Sequence, residues 1–147
     1  MDLADLYRDV IVDHSRRPRN FGRLAAANRS AEGNNPLCGD KLHVFVEMKD
    51  DIVQDLRFEG AGCAISTASA SLMSEAVKGR SRAQVAELFR DVHRMLTGRD
   101  AVADPGLGKL AALAGVREFP MRVKCASLCW HTLNAALAGT AAPVTTE

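Results

Sequence analysis

The chain has 147 residues, 47% hydrophobic and 25% charged, the profile of one globular domain able to bury its own core. Nineteen basic residues against eighteen acidic ones leave a net charge of +1, which excludes broad electrostatic capture of nucleic acid as the main activity. The same balance excludes an anionic membrane as the partner, and no apolar run approaches the ~20 residues that span a bilayer.

Leu3, Leu6, Tyr7, Val10, Ile11 and His14 recur at helical spacing and predict a first helix, capped by Asp2 and stopped by Pro18. Arg16 and Arg17 suit the negative end of its dipole. His14 closes the apolar face, where packing or capping is expected ahead of a site role. Residues 19–35 read as irregular, with Asn20-Phe21-Gly22 and Gly33-Asn34-Asn35-Pro36 as turn signals. Then the period changes to two. Leu42, Val44, Val46 and Met48 alternate with more polar residues, as do Ile52, Gln54, Leu56 and Phe58, with Asp50-Asp51 between the runs. This predicts an antiparallel hairpin with one buried face and His43 on the polar one.

After Gly60-Ala61-Gly62-Cys63 the helical period returns through Ile65, Ala68, Ser69, Leu72, Met73, Ala76 and Val77, closed by Gly79. Ser81 and Gln84 form a capping-box pattern for a helix with Val85, Leu88, Phe89, Val92 and Leu96 on its apolar face. Gly98 is expected to end it, and His93 beside the stripe to be solvated. From Arg99 to Pro120 a loop is expected around Asp104-Pro105-Gly106, with a short helix at Leu107, Leu110 and Leu113. A last helix from near Met121 aligns Cys125, Leu128, Cys129, Thr132, Leu133, Ala136 and Leu137. The order predicts an α+β fold: a small antiparallel sheet with helices packed on one face, over residues 1–138. Residues 139–147, small and polar, are expected to be a flexible tail.

The start, Met1-Asp2-Leu3-Ala4-Asp5, is acidic where a secretory signal is basic and then apolar, which predicts a cytoplasmic protein. In a reducing compartment its four cysteines are ligands, nucleophiles or core residues rather than disulfides. Cys38 sits in the loop Asn34 to Asp40, Cys63 at a helix start, and Cys125 in the expected first turn of the last helix. A helix start favours thiolate over thiol, and Arg122 and Lys124 push Cys125 the same way. Asp40 adds an oxygen donor. Three thiolates and a carboxylate suit tetrahedral Zn²⁺, or iron in an Fe–S cluster. No pair has CxxC spacing, so from spacing alone a set of small apolar core residues stays equally open. Cys129 lies one turn after Cys125, where core packing outweighs a role as a spare thiol. Trp130 and His131 read as surface or half-buried packing.

Several stretches resemble the U-type iron–sulfur cluster assembly proteins. Leu6-Tyr7-Arg8-Asp9-Val10-Ile11 through Asp13-His14 and Pro18-Arg19-Asn20 resemble their opening. Asn35-Pro36-Leu37-Cys38-Gly39-Asp40, Phe58 to Ser66 with Ala68-Ser69-Ala70-Ser71, and Arg122-Val123-Lys124-Cys125-Ala126 resemble their cysteine motifs, in order. The extra stretch from Gly98 to Gly115 is similar to the SufU branch. So is Lys124, since the scaffold branch usually has a histidine directly before the last cysteine. The resemblance implies that Cys38, Asp40, Cys63 and Cys125 bind Zn²⁺. It also implies a sulfurtransferase role, accepting persulfide sulfur from a SufS-type cysteine desulfurase for the SUF system and other iron–sulfur assembly proteins downstream. Cys129 departs from the pattern, because the family more often has a small non-sulfur residue there.

With that role, Asp40 is the exchangeable ligand, because a carboxylate is held less tightly than thiolate by a borderline-soft metal. Cys38, on a loop beside Gly39, is the expected sulfur acceptor. The competing function is a scaffold on which a [2Fe–2S] cluster is assembled and transferred. A third reading is a regulatory partner whose zinc only stabilises the fold.

Overall fold

Val44 and Val46 in β2 (Asp40–Lys49) pair with Phe58 and Leu56 in β3 (Ile52–Ala61), and all four side chains are buried. This is the expected hairpin, seen in a computed structural model that describes residues 3–97, 105–139 and 144–145. Asp50 and Asp51 both have positive φ (52° and 63°), the geometry a two-residue hairpin turn demands. One detail departs from strict alternation. The pairing slips between Glu47 and Met48, where Met48 meets Val53 and leaves Gln54 unmatched. That bulge moves Val53, not Gln54, onto the buried face.

The segment expected to be irregular contains a strand, β1 (Arg29–Asn35), antiparallel to β2. Its inward residues are Ala31, Gly33 and Asn35, too small or too polar to show a hydrophobic period. Gly33 is pressed so close to α4 (Pro120–Ala138) that a Cβ there would collide with Thr132 Oγ1. Val144–Thr145 forms β4, parallel to β1, so the sheet has the order β3-β2-β1-β4 and is mixed rather than wholly antiparallel. Along the free edge of β3, Phe58 donates its N–H to Asn20 O and accepts from Gly22 N–H, which covers part of that edge.

The other helices are α1 (Leu3–Arg16), α2 (Ala64–Val77) and α3 (Arg82–Thr97). Helix α4 packs on β1 and β2, α2 on β3 and α4, and α1 on α2. The capping box of α3 is complete, since Gln84 N–H donates to Ser81 Oγ and Ser81 N–H to Gln84 Oε1. Leu6 is half exposed, off the half-buried face of α1 that carries Tyr7, Val10 and Ile11. Asp2, Gly98 and Asp104 lie outside the described residues, as does most of the expected tail. Pro105–Glu118, expected to be mostly loop, is a 3-10 helix interrupted at Gly108. Its three-residue turn explains why Leu107, Leu110, Leu113 and Val116 are all buried. Trp130 is also buried, at 1% exposure, and not a surface residue. Among the described residues no helix is long and apolar enough to cross a membrane.

His14, 1% exposed, joins α1 to α2. Ser71 Oγ accepts the Arg19 N–H and so has its proton free for His14 Nδ1, 2.7 Å away. Burial, and then the charge of Arg19, hold His14 below the ordinary histidine range; Glu75 and Asp13 oppose this, and Lys109 reinforces it. His131 is lowered too, by burial and by His93. Below the usual histidine pKa the unfolded chain takes up protons that the folded chain refuses, so stability falls with pH. The melting temperature is expected to drop as pH is lowered from 7 to 5, and less steeply in a His14→Gln variant. Thermal melts across that range check both.

Candidate metal centre

Residues 36–39 make the tight turn between β1 and β2, and Asn35 pairs with Asp40 at its base. Gly39 takes φ 72°, a conformation other residues adopt at a cost. Asn35 is wholly buried and braces the turn from within: its Oδ1 accepts the Leu37 N–H, and its Nδ2 donates to Cys38 Sγ at 3.6 Å. Cys38 itself is half-buried. Asp40, opening β2, is 1% exposed, and its Oδ1 accepts the Cys63 N–H at 2.8 Å.

Cys63 is the N-cap of α2, and its Sγ accepts the Ser66 N–H at 3.4 Å. The same sulfur stands 3.9 Å from Asp40 Oδ2. Gly62 permits this approach, since a Cβ there would run into the Asp40 carboxylate. From α4, Cys125 brings its Sγ to 3.0 Å from Cys38 Sγ. The donor atoms of Cys38, Asp40 and Cys125 all lie within 4.8 Å of one another. Cys63 adjoins this trio through Asp40. A turn, a strand start, a helix cap and a helix body thus converge on one point.

The donor chemistry fits a divalent cation. Burial first, then the hydrogen bonds its S–H donates to Cys38 and Asp40, and then the nearby Cys63, push the Cys125 thiol far up. Three thiols and a buried carboxylate cannot ionise together without a compensating positive charge. Tetrahedral zinc with bonds of about 2.3 Å to sulfur sets sulfurs roughly 3.8 Å apart, a small opening of the present pair.

The expected thiolate-favouring helix start at Cys125 does not hold. Helix α4 begins at Pro120 with Phe119 as N-cap, so Cys125 lies in its second turn. Arg122 is drawn over the Phe119 ring, 4.5 Å from its centroid, and burial dominates the thiol. Asn35, Gly62 and Ser66 were not singled out as site residues from sequence. Asn35-Pro36 was visible as a turn signal, but nothing in it shows that the amide turns inward to a sulfur.

Cys129 is 1% exposed, with Ser69 Oγ 3.4 Å from its sulfur. Burial pushes its thiol up to about 12. A Cys129→Ala variant is expected to lose only about 1 kcal/mol of stability, the scale of a small buried group. A denaturant melt measures this, and metal content is expected to be unchanged. His43 stacks on Phe45 with ring centroids 4.1 Å apart and sits 3.8 Å from Glu32, away from the thiols.

A small sheet that gathers three cysteines and one aspartate beneath its first hairpin defines a single-domain protein built around a thiol-rich centre. Residues 6–126 match the family model for the NifU-like N-terminal domain, and the chain belongs to that family, which includes the IscU and SufU proteins. The zinc-dependent sulfurtransferase SufU of Bacillus subtilis (strain 168) is 42% identical over 139 residues, covering 93% of this chain and 92% of that protein. The iron–sulfur cluster assembly scaffold protein IscU of Streptococcus pyogenes serotype M1 is 40% identical over 135 residues, covering 92% and 84%. A crystal structure from Fervidobacterium islandicum AW-1, described as a candidate scaffold protein for the SUF system, superposes with a TM-score of 0.82. It is 33% identical and covers 92% of this chain and 99% of that one.

Proposed function

We propose that this chain is a zinc-binding sulfur acceptor, taking persulfide sulfur from a cysteine desulfurase for iron–sulfur cluster assembly. The observation that carries the reading is the convergence of Cys38, Asp40 and Cys125 within 4.8 Å, with Cys63 alongside. Cys38, Asp40, Cys63 and Cys125 would hold the ion. When bound, zinc supplies the positive charge that keeps these sulfurs as thiolates at neutral pH.

The chain's own residues do the rest. The 36–39 turn carries Cys38, half-buried like Cys63, while Cys63 is held as the cap of α2 and Cys125 is buried within α4. That turn lets the Cys38 sulfur swing out towards a partner, while Asp40 would be the donor most easily exchanged. The Cys38 thiolate then attacks the outer sulfur of the partner's cysteine persulfide. A new sulfur–sulfur bond forms at Cys38 as the old one breaks, and the partner cysteine leaves as thiolate. Cys38 now carries the persulfide.

The scaffold reading uses the same ligands, and the name of the Streptococcus relative favours it. Two features support sulfur transfer over it. Lys124, not histidine, precedes Cys125. The stretch that resembles the SufU branch is built into the core through Leu107, Leu110 and Leu113. Elemental analysis of protein purified without added iron, followed by a desulfurase rate assay, separates the readings. About one zinc per chain and a stimulated desulfurase are expected, since one tetrahedral site takes one ion. Brown protein with an Fe–S absorption spectrum overturns the zinc reading in favour of the scaffold. Desulfurase binding with no sulfur on any cysteine favours the purely regulatory role.

A further inference from the structure

We propose that His93 and His131 form a second metal site, separate from the thiols, that takes a divalent transition-metal ion across α3 and α4. His93 is exposed on α3 and His131 half-buried on α4, with ring centroids 6.5 Å apart and planes at 75°. Phe89, one turn before His93, is their common base. Its ring stacks near His93 at 6.2 Å and meets His131 edge-on at 5.2 Å. Phe89 in turn contacts the fully buried Trp130, 6.3 Å away, so the base is anchored to the core.

An ion about 2.1 Å from one nitrogen of each ring holds the centroids roughly 5–6 Å apart. The present 6.5 Å is longer than this, so the exposed His93 side chain would turn to bring the pair onto one ion, and its surface position leaves the remaining coordination places to water. Burial also keeps His131 neutral near pH 7, the protonation state that ligates. Neutral imidazole pairs suit zinc, nickel or copper rather than magnesium or calcium. His131 lies six residues beyond Cys125 on α4, about 9 Å along the helix axis. The two centres can therefore fill independently. With two protein ligands this one is the weaker and the more readily exchanged, and an ion in it ties α3 to α4.

Nickel is the probe, because it favours imidazole and does not oxidise thiols as copper does. The full chain as purified is titrated with Ni²⁺ by calorimetry, with zinc content measured before and after, and again after alkylation of accessible thiols by iodoacetamide. About one Ni²⁺ per chain is expected to bind without zinc release and to survive alkylation. His93→Gln, at an exposed position, is expected to leave the melting curve intact and weaken Ni²⁺ binding by roughly tenfold or more, as is His131→Gln. His43→Gln is expected to change nothing. No nickel binding, equal binding in His93→Gln, or uptake matched by zinc release or abolished by alkylation overturns the proposal.

Discussion

Replacing Asp40 by alanine is expected to lower desulfurase stimulation by about tenfold or more while leaving zinc bound, a loss on the scale of altered metal-site partners. Three thiolates remain to hold the ion, so retention is expected. What disappears is the weakest donor and, with it, the easy ligand exchange that lets a partner enter. Asp40 also has a structural duty, because its Oδ1 accepts the N–H of Cys63 at the cap of α2. Alanine orphans that donor, at a cost of about 1–3 kcal/mol if no water replaces the carboxylate. Asp40→Asn separates the two duties. Its amide oxygen can still accept from Cys63 while the negative charge is gone, so stability is expected to recover and stimulation to stay low. Melting curves, zinc content and desulfurase rates on both variants check this. Full stimulation in Asp40→Ala removes Asp40 from the mechanism.

The hairpin, the capping box of α3 and the helix start at Cys63 were legible because each rests on local chemistry: a period of two, a Ser-x-x-Gln pattern, a Gly-rich approach to a helix. Strand β1 was not legible. Its inward positions carry Ala31, Gly33 and Asn35, chosen by the closeness of Thr132 and by the turn they support, neither of which is local in sequence. The 3-10 segment misleads for a related reason, since its leucines repeat every three residues and mimic a fragment of α-helix. At the site, the cysteines and Asp40 could be singled out by type and position. The direction of the Cys125 thiol could not. Nearby Arg122 and Lys124 suggest a lowered pKa, yet the chain folds Arg122 onto Phe119 and sinks Cys125 to 3% exposure. Burial outweighs sequence-adjacent charge.

The burial of Cys125 also bears on which cysteine receives sulfur. Cys125 is the competitor if charge decides, because an anionic persulfide is drawn towards Arg122 and Lys124 on the first turns of α4. Access decides otherwise. The Cys125 sulfur is fixed in a helix, buried, and held as thiol by its surroundings when no cation is present. Cys63 is fixed as well, with its sulfur occupied as the cap of α2. Cys38 alone of the three sits on a turn, half-buried beside Leu37, which is 60% exposed. Its tethers are a backbone bond to Asn35 at 3.2 Å, the long Asn35 amide contact to sulfur and the S–H bond from Cys125 at 3.0 Å, all of which can break without unfolding a helix. Cys38→Ser is therefore expected to abolish persulfide formation on this chain. Cys125→Ser is expected to fail for a different reason, by loosening the metal. The two are told apart by mass mapping of wild-type protein after incubation with desulfurase and cysteine. Sulfur is expected on the peptide carrying Cys38, and extra sulfur on Cys125 but never on Cys38 refutes the assignment.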